Sequence, residues 1–143
     1  MKSTILFLIT SLMTIPFISI GQDKADAILV KLNKLYKENR VLPEKTVAST
    51  YHEIFLNKTN KTIDINGYSI PLGGYKVDYN YSYYKYFNKY MHKAELTCID
   101  GDCIFIQVEN RHMSGMGFFL TTKKACYDFI NLLAEIKQAL IPY

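Results

Sequence analysis

The chain has 143 residues, 17 Lys and Arg against 13 Asp and Glu, a formal charge of +4, twelve Tyr, eight Phe, no Trp and three Cys. So small a charge, carried by scattered rather than clustered lysines, argues against nucleic acid as a partner. The absence of internal repeats and low-complexity tracts points to one domain with enough chain to bury a core.

Residues 1–21 read as a secretory leader. Lys2 supplies the positive start, Ile5 to Met13 the apolar run, and Ser19 and Gly21 the small residues expected before a cleavage after Gly21. The mature chain then begins at Gln22 and is periplasmic or extracellular, with no stable membrane insertion after cleavage. The alternative is an uncleaved anchor. Residues 3–21 carry no charge and reach about the length of a bilayer span, although Thr10, Ser11, Thr14 and Pro16 interrupt them. No lipobox cysteine is available, since the first Cys is Cys98, and no second apolar segment is long enough to span.

Asp23 to Asn39 predicts a helix. Asp23 can cap it, Asp26 stands in the first turn, and Ala25, Ile28, Leu29, Leu32, Leu35 and Tyr36 share one face. Lys31, Lys34 and Lys37 line its solvated side, and Arg40 to Lys45, with Pro43, form a linker. The domain boundaries are therefore a leader at 1–21, a helix and linker at 22–46, and an antiparallel β domain with a C-terminal helix at 47–143.

From Val47 the period shortens to two. Strands are expected at Val47–Leu56, Lys61–Ile65, Tyr68–Pro71, Tyr75–Tyr84, Ala94–Ile99, Cys103–Glu109 and Met116–Leu120. Asn66-Gly67 and Asp100-Gly101 are the strongest hairpin signals, because both central residues of a type I′ turn need positive φ. Lys85 to Lys93 does not alternate and reads as a turn of helix or an ordered loop anchored by Tyr86, Phe87, Tyr90 and Met91. Asn57-Lys58-Thr59, Asn60-Lys61-Thr62 and Asn80-Tyr81-Ser82 are formal glycosylation sequons, the first two in a polar hairpin tip. The last helix gives the clearest pattern, over Thr121 to Tyr143. Thr121 and Thr122 offer capping hydroxyls, Cys126, Phe129, Leu133, Ile136 and Leu140 recur at spacings of three and four, and Pro142 follows where a helix stops.

Cys98 and Cys103 flank the Asp100-Gly101 turn. In a two-residue hairpin they face each other in a non-hydrogen-bonded pair, which predicts a disulfide; free core thiols and a metal pair are the rival readings. Two thiolates alone complete no zinc site, so no metal or cofactor is expected. Cys126 lies on the apolar stripe as a free thiol.

The strand Tyr75–Tyr84 puts Tyr75, Val77, Tyr79, Tyr81 and Tyr83 on one face. Such a row is the inner face of a small barrel, or else a stacking platform for sugars and other ring-bearing ligands, with Tyr79, Tyr81 and Tyr83 as the binding residues. Enzyme signatures are mostly missing. His52, His92 and His112 are far apart, Ser114 lacks a nucleophile elbow, and Glu53, Glu95 and Glu109 are dispersed.

The order of elements, several short antiparallel strands and then Gly117-Phe118-Phe119-Leu120-Thr121-Thr122 running into a helix, resembles the pleckstrin-homology-like superfold. The resemblance covers about residues 47–140. With the N-terminal helix already read at Asp23–Asn39, it implies an α+β fold: about seven short antiparallel strands forming a small barrel or curved sheet, and a C-terminal helix capping one open end. In this sequence Phe129 takes the place of that helix's common Trp, and the basic lipid-binding pattern of the first hairpin is reduced to Lys58 and Lys61. The lipid function is therefore not carried over. A two-layer α+β sandwich is the alternative architecture.

Three functions follow as expectations. The first is an exported, non-catalytic binding or interaction domain whose partner is an unknown protein or small ligand. The second is a small exported hydrolase with a site assembled from the dispersed His and carboxylates. The third is an envelope structural or inhibitor-like protein held at the membrane by its leader.

Overall fold

A computed structural model describes residues 15–41, 53–85 and 87–141, so Val47 to His52 of the first expected strand, together with Tyr86 and Pro142, lie outside the described residues. The elements in order are α1 (Ile15–Asn39), β1 (Phe55–Asn57), β2 (Thr62–Ile65), β3 (Tyr68–Pro71), β4 (Tyr75–Tyr84), β5 (Lys89–Cys98), β6 (Ile104–Ile106), β7 (Arg111–Met113), β8 (Gly115–Leu120) and α2 (Lys123–Leu140). The fold is α+β.

The last helix follows its pattern closely. Thr122 is the N-cap, its hydroxyl accepting from the Ala125 amide at 3.1 Å. Cys126, Phe129, Leu133 and Ile136 are buried. The first helix starts earlier than Asp23, which therefore caps nothing. Pro16 stands in the first turn, where a helix tolerates proline, and the other breaker of Ile15–Gln22, Gly21, has a packing reason to be there. A Cβ at that position would lie 2.9 Å from the Ala139 carbonyl of α2. With Gly21 beside Ala139 and Tyr36 against Phe129 (ring centroids 5.9 Å apart), the two helices run antiparallel. Ala25, Ile28 and Leu32 are buried, as the stripe predicts.

The strands form a five-stranded sheet in the order β1-β2-β3-β6-β7 and a three-stranded sheet in the order β4-β5-β8, each neighbouring pair antiparallel. Only Ser114 separates β7 from β8, so one run of chain pairs first with β6 and then with β5 and joins the sheets. Of the expected barrel or curved sheet, the closed barrel does not form among the described residues. Closure would require β1 to reach β4, and the chain leading into β1 is instead held to α1. Asn33 accepts from the Ile54 amide and donates to its carbonyl, both at 2.8 Å. Ile63, Ile70, Ile104, Leu96, Ala94 and Phe118 turn inward from the sheets to meet Leu32, Phe129, Leu133 and Ile136 of the helices.

Asn66-Gly67 forms the expected turn, with φ of 48° and 79° and Ile65 opposite Tyr68. Asp100-Gly101 does not make a hairpin. It lies in the loop that carries the chain from β5 in one sheet to β6 in the other, and these strands pair with different partners. Cys98 and Cys103 are nonetheless bonded, with Cα atoms 5.7 Å apart, so the pairing is as expected while the hairpin register behind it is replaced by a loop closure. Two further corrections concern strand limits. Lys89 to Lys93 belongs to β5 rather than to a loop or helical turn, and Cys103–Glu109 shortens to β6, followed by a turn at Asn110 (φ 49°) and the unforeseen β7.

Candidate binding surface

β4 and β5 form a hairpin ten residues long on each side, in unbroken register from Tyr75 opposite Cys98 to Tyr84 opposite Lys89. Its phase follows from one bond outside the ladder. The Ile99 amide donates to the Gly74 carbonyl at 2.9 Å, which makes Tyr75 and Cys98 a non-hydrogen-bonded pair. By alternation Val77, Tyr79, Tyr81 and Tyr83 also sit in non-hydrogen-bonded pairs, where facing side chains come closest.

The face these residues share begins in the core and ends outside it. Tyr75 is buried against α2, and Val77 and Tyr79 are half-buried. Beyond them there is no helix to pack on, since α2 begins only at Lys123 beside Tyr79, so nothing from it covers the rest. Tyr81, Tyr83 and Tyr90 are 53%, 50% and 62% exposed. The inner-face reading of the row thus holds for its first half and fails for its second, because the hairpin is longer than the helix packed on it.

The exposed part is an ordered row of rings. Tyr127 of α2 stacks on Tyr79 at 5.4 Å, Tyr79 on His92 at 5.9 Å, His92 on Tyr81 at 4.6 Å and Tyr81 on Tyr90 at 5.5 Å, all near 28° between planes. Tyr83 closes the row edge-on against Tyr90 at 5.5 Å. Two polar contacts set it in place: His92 Nδ1 shares a hydrogen bond of 2.8 Å with the Tyr79 hydroxyl, and the Tyr83 hydroxyl donates to Asn88. Lys123 stands over Tyr79 and Tyr127, with its ammonium 5.4 and 5.8 Å from their centroids. Desolvation raises the Tyr79 phenol above its ordinary range, and Cys126, Tyr127 and Tyr81 act in the same direction, so it stays a neutral hydroxyl.

The sequence nominated Tyr79, Tyr81 and Tyr83, and the structure sets all three in this row. It missed Tyr90, His92 and Tyr127. The signal for two of them was present: Tyr90, His92, Ala94, Leu96 and Cys98 alternate once the strand is allowed to start at Lys89. Tyr127 lies on a helix and joins only through tertiary packing.

The dispersed acid–base candidates do not assemble. His52 lies outside the described residues, His92 bonds Tyr79, and His112 packs on Phe105 at 5.1 Å. Glu95 sits on the other face of β5, held by Lys93 at 2.5 Å and Asn80 at 2.8 Å, while Glu109 pairs with Arg111. Among the described residues no group of three His, Cys, Asp or Glu could hold a metal ion, and no helix is long and apolar enough to cross a membrane.

A second hollow, about 500 Å³, opens on the outer face of the five-stranded sheet, where Asp64, Ser69, Gln107 and His112 surround Phe105. It is polar, and Gln107 and Ser69 are already bonded to each other at 3.1 Å. Comparison with family models, curated proteins and solved structures gives no match for this chain.

Proposed function

We propose that this is an exported, non-catalytic binding domain that grips a protein partner through the ring row of Tyr127, Tyr79, His92, Tyr81, Tyr90 and Tyr83. The observation that carries the reading is the exposure of an ordered aromatic row beyond the end of α2. Stacked rings occupy one another's faces, so a sugar ring would find open faces only at the two ends. What the row offers along its length is ring edges and hydroxyls, the chemistry that tyrosine contributes to protein interfaces. The leader-like residues 1–21 and the Cys98–Cys103 bond support export, since such bonds persist in oxidising compartments. The pleckstrin-homology-like order of strands and last helix adds no ligand to this reading.

A benzophenone amino acid placed at Tyr83 should capture a discrete protein partner on illumination, and one placed at Val108, which is 91% exposed at the β6–β7 turn, should not. Equal capture at both positions would overturn the proposal.

A second reading, in which the leader is kept as an anchor, is favoured by one observation. α1 passes without a break through Gly21 and Gln22, and Gly21 is small because α2 lies against it. Intact mass of the exported protein separates the two readings: a species beginning at Gln22 removes the anchored one, and full-length chain in the membrane fraction establishes it.

A further inference from the structure

The residues that carry the ring row also carry an unpaired backbone. Tyr75, Val77, Tyr79, Tyr81 and Tyr83 occupy non-hydrogen-bonded pairs with β5, so their N–H and C=O groups point away from β5. Among the described residues β4 pairs with β5 alone. The opposite edge of the same sheet is treated differently at one end: Arg40 bridges Leu120 and the Val41 amide donates to the Phe119 carbonyl at 2.9 Å, which covers the Phe119–Leu120 end of β8. Among the described residues β4 is thus a ten-residue edge with no proline, a template of the kind natural sheets avoid leaving open.

Alongside this edge runs a groove of about 190 Å³ lined by Tyr75, Val77, Ile130, Leu133, Ala134 and Lys137. Its lining is mostly apolar, with Lys137 the one charged residue in it. Lys123 stands over Tyr79 and Tyr127 nearer the ring row, and neither lysine forms an ion pair with a carboxylate of the described residues.

We propose that the open edge of β4 takes an extended acidic peptide segment as an added strand, its alternate side chains entering the groove beside α2 and continuing along the tyrosine row. The proposal deepens, and rests on, the reading of this face as the binding surface. Strand addition accounts for the coincidence of three features in one set of residues. The backbone groups of Val77, Tyr79, Tyr81 and Tyr83 would hold the segment in register, and side chains of every second residue would fall on the ring face. The apolar floor beside Tyr75 and Val77 accepts an aliphatic side chain, while Lys137 and Lys123 select carboxylates at neighbouring positions. A second copy of this chain fits less well, because its β4 face would bring the same lysines to the groove rather than the carboxylates that Lys123 and Lys137 lack.

Amide hydrogen exchange read by NMR tests this directly. In the free protein the amides of Lys76, Asp78, Asn80 and Ser82, bonded to β5, should be protected, and those of Val77, Tyr79, Tyr81 and Tyr83 should exchange fast. A short synthetic peptide alternating Thr with Val and Glu, added at millimolar concentration, should slow those four amides by about tenfold or more. The same peptide with Lys for Glu should do so far less, and an analogue N-methylated at alternate amides not at all. No slowing with the Glu peptide, or equal slowing with the Lys or N-methylated peptide, overturns the proposal. Slowing without peptide that grows with protein concentration also overturns it, in favour of a second copy. Val77→Pro removes one outward N–H without touching the ring row, and its folding is checked by the continued inaccessibility of Cys126. It should abolish the peptide response and weaken photocapture at Tyr83 with it; a lost peptide response with capture at Tyr83 undiminished would show that the ring row holds its partner without strand addition, which overturns this proposal and leaves the ring surface standing. If Val77→Pro does not fold, the N-methylated peptide still decides on the unaltered protein.

Discussion

Phe129→Ala is the perturbation that most directly tests how this domain is held together. Phe129 is fully buried and its ring meets Phe118 of β8 at 4.7 Å and Tyr36 of α1 at 5.9 Å, so one side chain joins both helices to the three-stranded sheet. Removing it takes away the transfer free energy of the ring and leaves a cavity that the surrounding strands cannot fully close. For a buried phenylalanine the sum is about 3–5 kcal/mol, a large share of the ~5–15 kcal/mol that holds a domain folded. At this chain length the melting temperature should fall by about 10–20 °C. Urea unfolding followed by the near-ultraviolet circular dichroism of the tyrosines reads the change as a lower midpoint with an unaltered slope. A double-mutant cycle with Tyr36→Ala should give a coupling of ~0.5–1.5 kcal/mol, the usual worth of an aromatic pair beyond its buried area. A loss below about 1 kcal/mol for Phe129→Ala would mean that α2 does not seat the core, and the layer arrangement described above would be wrong.

Under denaturing, non-reducing conditions a thiol reagent should label Cys126 alone, and in the native protein not even that, because burial pushes its thiol up to about 11; mass spectrometry that finds three labelled cysteines would contradict the Cys98–Cys103 bond. Glu95 is held below the usual carboxylate range, chiefly by its hydrogen bond to Lys93, so its contribution is present above the unfolded value near ~4.3 and is lost as pH falls below it. Glu95 is 35% exposed, which limits the effect to roughly 1 kcal/mol or less, and in acid titrations Glu95→Gln should flatten the stability curve below that point. Gly115→Ala should cost about 1–3 kcal/mol in urea, since a Cβ there would lie 2.5 Å from the Leu96 carbonyl oxygen and only movement of β8 relative to β5 can relieve it; an unchanged midpoint would show that this close approach is not real. Tyr83→Ala, with half its side chain already in water, should change stability by less than about 1 kcal/mol in the same assay while abolishing photocapture from a neighbouring benzophenone at Tyr81.

The parts of the fold that were legible in the sequence are those decided locally. The α2 stripe from Cys126 to Ile136, the Asn66-Gly67 turn and the limits of β3 and β4 depend on period and turn chemistry alone, and they stand where the pattern put them. What could not be read depends on contacts far apart in sequence. α1 takes in Ile15–Gln22 because the apolar residues that read as a leader also propagate a helix, and only the position of Ala139 explains Gly21. The Asp100-Gly101 turn was misassigned because a turn signal says that the chain reverses, not which strand it will meet; β6 finds β3 and β7 instead of β5. The tyrosine row shows the same limit. Its alternation was plain, but whether it faced core or solvent depended on where α2 stops along a hairpin that outruns it.

The Cys98–Cys103 bond stands where the two sheets meet. Cys98 ends β5, Cys103 leads into β6, and the Cys98 amide donates at 2.7 Å to the carbonyl of Ser114, the single residue separating β7 from β8. Because the loop it closes is so short, the bond removes little entropy from the unfolded chain. Its consequence lies in cooperativity. The five-stranded sheet contains three strands of only three residues, few enough for it to open as a separate unit while the β4–β5 hairpin and both helices remain folded. Tying the end of β5 to the start of β6 makes such partial opening drag on the larger sheet, so the two halves unfold together. Reduction would change the total free energy of unfolding modestly and its distribution a great deal, turning one all-or-none unit into two.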